Sequence, residues 1–235
     1  MPVRGSTCRS SWQRRPFCAT FKTTESFPLD LSDARPMAHI NAQIPALEAS
    51  YGRPAVRRID WDAEPYEFDL LTAAVERNRF HDVTLFIRRG DRVAVVRKPT
   101  YPPGVFRPPS GGVEPGESFE AGALREAYEE TGLRVALRRY LLRVESCFHL
   151  RGESDETIRW VSHVFLADWC HGEPRPIDRK EIAEARWATR DELETDLQRR
   201  LDDAPTAGLR YRGWLQREAC ELWRRLEAGD DPARF

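Results

Sequence analysis

Apolar and polar residues change rhythm several times along the chain, and each rhythm predicts an element. "VTLFIRRGDRVAVVRK" (83–98) is two β-rich apolar runs around Arg-Gly-Asp, which predicts a β-hairpin. "LRVALRRYLLRVESCFHL" (133–150) and "TIRWVSHVFLADW" (157–169) alternate or run apolar, and both read as strands. Phe68, Leu71, Ala74 and Val75 recur at helical spacing and predict a helix beginning near Asp62 or Pro65. Near the C-terminus, Trp214, Leu215, Ala219, Leu222, Trp223 and Leu226 form one helical stripe, stopped by Gly229 and Pro232. The stripe reads either as core packing or as a homodimer interface. Before it, "ARWATRDELETDL" (185–197) predicts a short strand, then a helix capped by Thr189 with Glu192 three residues on. "PTYPPGVFRPPSGG" (99–112) is a Pro/Gly loop, and the chain shows no internal repeat.

Residues 1–50 do not share these rhythms. The first 24 carry Arg4, Arg9, Arg14, Arg15 and Lys22 and no acid, with many Ser and Thr. They read as a disordered tail, as an over-long start ahead of Met37, or as a segment with the composition of an organelle transit peptide. Over the whole chain, 40% hydrophobic and 32% charged residues predict a soluble protein with a real core. A formal net charge of −1 gives no overall grip on nucleic acid or an anionic membrane, so neither is expected as a partner. No apolar run approaches the ~18 residues that a membrane-spanning helix needs. Cys8, Cys18, Cys147, Cys170 and Cys220 are odd in number and contain no Cys-x-x-Cys pair. A disulfide framework or thiolate zinc site is therefore not expected, and a reducing cytoplasm is.

The candidate chemistry lies in "GGVEPGESFEAGALREAYEETGL" (111–133). Residues 118–131 read as a helix, with Ser118 at the N-cap and Gly132 in the position that ends helices. Glu126, Glu129 and Glu130 are then three and four residues apart and share a face, while Ala123, Leu124 and Ala127 turn elsewhere to pack. Three carboxylates on one face repel unless a cation sits among them. Oxygen-only ligands suit a hard metal, Mg²⁺ or Mn²⁺; the alternative is a solvated acidic face. Arg125 precedes Glu129 by four residues and can orient a carboxylate, and Glu117 is near enough to join. Gly111, Gly112 and Gly116 allow a tight loop that can approach a ligand. Gly122 costs roughly 1 kcal/mol against Ala inside a helix, and close packing is the expected reason.

The stretch resembles the signature of the Nudix hydrolases, the family that includes MutT, at every defined position. Gly111, Glu117, Arg125, Glu126, Ala127, Glu129, Glu130, Gly132 and Leu133 fill the pattern. The resemblance implies an α/β/α sandwich with a mixed β-sheet, and hydrolysis of a diphosphate bond in a nucleoside diphosphate linked to another group. It implies Glu126 and Glu130 as the principal metal ligands, Glu129 assisting, and the Gly111 carbonyl as a further ligand. Arg125 and Glu117 correspond to an orienting network. The general base is either a signature glutamate or one from a later loop, where Glu181 is favoured over Glu184; the other reading of both is a salt-bridged surface acid. The organisation that follows is a tail over 1–50, a helical lead-in over 51–80, the Nudix domain over 81–205, and a C-terminal helix over 206–235 on that domain or a partner.

Tyr101, Phe106 and Arg107 precede the signature and read either as base-stacking and gripping residues or as loop packing. His149, His163 and His171 read as satisfied or exposed, and Trp160, Trp169 and Trp187 as packing. "SCFHLRG" (146–152) lacks the secondary marks of the ADP-ribose and diadenosine polyphosphate subgroups, and no coenzyme A or NADH mark is seen. The substrate is thus expected to be a small nucleoside diphosphate derivative such as ADP-ribose, a nucleotide sugar or a nucleoside triphosphate. The rival readings are a non-catalytic nucleotide sensor and an RNA-cap hydrolase.

Overall fold

A computed structural model describes residues 39–114, 116–152, 155–231 and 233. The sequence readings at Cys8, Cys18, Lys22 and Met37, and the stop at Pro232, lie outside the described residues. In chain order the elements are α1 (Ile44–Tyr51), β1 (Ala55–Ala63), α2 (Pro65–Glu76), β2 (His81–Arg89), β3 (Arg92–Arg97), β4 (Ser110–Gly112) and α3 (Phe119–Thr131). There follow β5 (Arg134–Leu150), β6 (Thr157–His171), β7 (Glu184–Thr189) and α4 (Arg190–Glu192). A π-helical turn (Leu193–Leu197), α5 (Gln198–Asp202) and α6 (Ala207–Glu227) complete the chain.

The strands form one mixed sheet in the order β1-β5-β6-β2-β3-β7, with β4 on the other half of β2. β1 runs parallel to β5 and β2 parallel to β6, while β5–β6, β2–β3 and β3–β7 are antiparallel. β2 is buried on both faces from His81 to Ile87, which is why its sequence runs apolar instead of alternating. On one face, Phe86, Val144, Phe148 and Val164 pack under Trp214, Leu215, Ala219, Leu222 and Trp223 of α6. On the other, Val83, Leu85, Ile87 and Phe165 pack under Phe119, Ala123 and Ala127 of α3. Helices thus cover both faces, an α/β/α sandwich. The C-terminal stripe is core packing on this sheet.

Helix α2 begins at Pro65, within the expected window, and a capping box between Glu64 and Glu67 fixes its start. Thr189 accepts a hydrogen bond from the Glu192 N–H (3.1 Å), as its spacing predicted. Two expectations are corrected. The lead-in over 51–80 is strand as well as helix: β1 alternates apolar Ile59 and Trp61, packed on the core, with outward Arg58, Asp60 and Asp62. The tail over 1–50 does not extend through 44–50, where α1 docks because Leu47, with Ile40 before it, is buried in the α3-side core.

His163 is satisfied inside that core, with its two ring nitrogens facing His81 (2.9 Å) and the Tyr140 hydroxyl. Among the described residues, no helix is long and apolar enough to cross a membrane.

Helix α3 ends where Gly132 turns left-handed (φ 71°), and a Cβ there would stand 2.5 Å from the Arg175 carbonyl oxygen. Both the conformation and the space exclude a side chain. Gly132→Ala is expected to destabilise the protein by at least about 1–2 kcal/mol, read as a lower midpoint in urea with unchanged m-value.

Candidate active site

The site begins with the frame of α3. Ser118 caps its first turn by accepting from the Ala121 N–H (3.1 Å), which sets the phase of the helix. Glu126 and Glu130, one turn apart, are thereby directed inward against β4 and the loop before it, and are only 7% and 2% exposed. Glu129 lies to the side, its side chain 44% exposed.

Arg125 ties the acids together. Its guanidinium makes paired bonds to Glu117 (3.0 Å each), and one nitrogen donates to both Glu126 and Glu129 (2.9 Å each). It also donates to the Gly112 carbonyl (2.9 Å), fastening the helix to β4. Two glycines make room for this packing. A Cβ on Gly111 would collide with the Glu126 carboxylate, and one on Gly122 would stand 2.8 Å from a Glu117 oxygen. The expected packing reason for Gly122 is therefore accommodation of Glu117.

Glu130 has a different partner. Arg107 is 2% exposed and donates to both Glu130 oxygens (3.1 and 3.3 Å), while the Ser110 N–H adds a third bond (2.8 Å). Arg107 also donates to the Tyr101 hydroxyl (3.0 Å) and the Pro108 carbonyl (2.8 Å). Burial would raise the Tyr101 hydroxyl's pKa, but the adjoining Arg107 outweighs it and holds the value below normal. Phe106 is buried, with the Arg186 guanidinium 4.4 Å over its ring. Arg107 and Phe106 thus face the interior, and Arg107 serves Glu130. The sequence reading missed this pairing because the partners are 23 residues apart; a lone arginine in a Pro/Gly loop beside an acid-rich helix was the available signal.

Glu181 lies in the loop before β7, where it is ion-paired to Lys98 (2.5 Å). That loop is bonded back onto the acid helix. The Ile177 and Asp178 N–H groups donate to the Glu129 carbonyl (2.9 and 3.1 Å), and the Arg175 N–H donates to the Thr131 carbonyl (2.8 Å). Lys98 also went unread in the sequence, although it is one of only three lysines in an arginine-rich chain. Glu184 sits within β7 and pairs with Arg97 (3.5 Å).

Four carboxylates (Glu117, Glu126, Glu129, Glu130) meet two guanidiniums (Arg107, Arg125), so these six side chains carry two surplus negative charges when ionised. The strain appears at Glu126. Burial first, with Glu130 and Glu129 adding, pushes its carboxyl up to about 7 against the pull of Arg125. Glu117 is held below the usual carboxylate range by Arg125. A carboxylate has about four acceptor positions, and Arg107 and Ser110 occupy three on Glu130, leaving one for a cation. The donor set is all oxygen and in excess of charge, which fits a hard divalent ion.

Two outcomes follow from this geometry. Arg107→Met leaves Glu130 buried without its counter-charge and is expected to cost about 3–5 kcal/mol in denaturant unfolding, much of it recovered in the Arg107→Met, Glu130→Gln double variant. The Glu126 value in the folded protein lies above its unfolded value, so the stabilisation from its bound proton is complete below about pH 4.5 and lost as pH rises through about 7. In metal-free buffer, the stability of wild type relative to Glu126→Gln should fall by about 1–3 kcal/mol between about pH 5 and about pH 8, measured by unfolding of both proteins side by side.

A family model described as the NUDIX domain matches residues 79–207. The chain is 31% identical over 172 residues to "NAD-capped RNA hydrolase NudC" of Mycobacterium tuberculosis, covering 68% of this chain and 47% of that one. It is 31% identical over 111 residues to the NudC of Photobacterium profundum, covering 47% and 38%. The chain thus spans less than half the length of these curated relatives. A NUDIX hydrolase structure from Nitrosomonas europaea superposes with a TM-score of 0.45 at 20% identity, covering 65% of this chain and 74% of that one. With the signature residues gathered around α3 and the domain model covering more than half the sequence, the chain belongs to the Nudix family.

Proposed function

We propose that this protein hydrolyses the diphosphate bond of a nucleoside diphosphate linked to a second group, using Mg²⁺ or Mn²⁺. The observation that carries this reading is the buried, charge-excess carboxylate set of Glu126 and Glu130, with Glu129 beside them, all braced by Arg125 and Arg107. Those three acids, with the Gly111 carbonyl, would hold the ion. Held by these residues, a divalent ion would neutralise diphosphate oxygens and would lower the pKa of the attacking water.

The chain's own groups supply the rest. Arg125 fixes Glu117, Glu126 and Glu129 in one arrangement, so no reorganisation is needed when charge develops. Glu181 is assigned as the acceptor of the water proton, positioned by Lys98 and by the loop's bonds to Glu129. Water oxygen bonds to phosphorus, the anhydride P–O bond breaks, and each product leaves with a phosphate.

Similarity to proteins named NAD-capped RNA hydrolases favours a dinucleotide of NAD type, free or at an RNA end, as the substrate. The net charge of −1 favours the free form.

The test is a panel of NAD⁺, NADH, ADP-ribose, nucleotide sugars, nucleoside triphosphates and NAD-capped RNA, assayed with Mg²⁺ or Mn²⁺. Metal-dependent turnover of the dinucleotides into two mononucleotides, reduced at least about a hundredfold in Glu126→Gln, is expected. Tight binding of one compound without turnover would establish a nucleotide sensor instead. An unchanged kcat in Glu181→Gln would return the base role to a signature glutamate.

A further inference from the structure

A second group of ligating side chains sits at the edge of the sheet, on β1 and β5 and not on α3. Parallel pairing sets Asp60 opposite Cys147 and Asp62 opposite His149. Trp61 and Phe148 turn to the α6 side, where both meet the ring of Tyr211. Their neighbours Asp60, Cys147 and His149 therefore project together from the opposite face. The His149 Nε2 and an Asp60 oxygen are 2.7 Å apart, and one ligand atom from each of the three residues lies within 4.8 Å of the other two.

This is a different donor set from that of the signature. One sulfur, one imidazole nitrogen and one carboxylate oxygen favour a borderline-soft divalent ion over Mg²⁺. With bonds of roughly 2.0–2.3 Å, ligands around a tetrahedral zinc stand roughly 3–4 Å apart, and the three ligand atoms already lie within 4.8 Å of one another. Three protein ligands leave one position open, and Asp60 and His149 are each exposed enough for an ion to enter. Thr157, paired with His149 on β6, hydrogen-bonds Cys147, while burial and then the Asp60 carboxylate hold the Cys147 thiol above its usual value, so it stays a thiol until an ion takes the proton's place. Both strands are fixed by backbone ladders, so little ordering remains when an ion binds.

We propose that Asp60, Cys147 and His149 form a site for a zinc-class divalent ion, separate from the signature carboxylates. Binding displaces the Cys147 thiol proton to solvent and forms metal–sulfur, metal–nitrogen and metal–oxygen bonds across β1 and β5. The ion thereby pins the sheet's edge strand.

Co²⁺ is the probe, because thiolate ligation gives a sulfur-to-metal charge-transfer absorption that an all-carboxylate site cannot give. In reducing buffer, Co²⁺ added to the full chain should produce this band, and Zn²⁺ should abolish it by displacement. The band should be lost in Cys147→Ser and kept in Cys170→Ser and in Glu126→Gln. His149→Ala and Asp60→Asn should each weaken Co²⁺ binding at least about tenfold. Unchanged metal-free melting of Cys147→Ser, His149→Ala and Asp60→Asn verifies the fold. If Cys147→Ser does not fold, the affinity loss in His149→Ala decides the matter. No band in wild type, or a band that survives in Cys147→Ser, overturns the proposal.

Discussion

One guanidinium makes the site possible. Glu117, Glu126 and Glu129 could not be held together without Arg125, which reaches all three and the Gly112 carbonyl. The planar fork suits this task, because its donors point in fixed directions and bind one carboxylate as a pair while still serving others. Lysine would supply the charge without that geometry. Arg125 also joins two levels of structure: it fastens α3 to β4, and so fixes the helix's acids relative to the loop that faces them.

A second guanidinium, Arg107, solves a harder problem deeper in the protein. Glu130 is almost wholly buried, and an isolated carboxylate there would be protonated or would destabilise the fold. Its paired contact with Arg107 and the Ser110 N–H replaces the lost water while leaving one acceptor position free. The two arginines offset only half of the four acids' charge. The remainder is what a divalent ion would neutralise, and until then Glu126 bears it as a raised pKa. The charge that would attract a metal ion and the raised pKa of Glu126 thus have the same origin.

What the sequence disclosed was local. Ser118 and Gly132 announce the ends of α3, and the spacing of Arg125, Glu126, Glu129 and Glu130 announces its chemistry, because all act within a few turns of one helix. What it concealed was set by pairing across the sheet. Arg107 meets Glu130 only because β4 returns past α3. Asp60 meets His149 across 89 residues because β1 adds itself beside β5. β1 itself was hard to see, since Arg58, Asp60 and Asp62 lie on its outer face and Arg57 shares the inner one with Ala55, Ile59, Trp61 and Ala63. In β5, bulges shift the alternation, so that both Leu141 and Leu142 enter the same core and simple period-two reading fails midway.

The loop between β6 and β7 is stitched to the end of α3 through the Thr131 and Glu129 carbonyls, and rejoins the sheet where the Ala183 N–H bonds Arg97. Both ends are therefore anchored, and the interval Arg179–Glu181 between them is held within the loop itself, where the Lys180 and Glu181 N–H groups donate to the Asp178 carboxylate. Added residues in that interval have to bulge away from the sheet, beside the acids. A change of length there would shift Glu181 relative to those acids without disturbing the helix, so the reach of this glutamate is set separately from the frame that holds the other four.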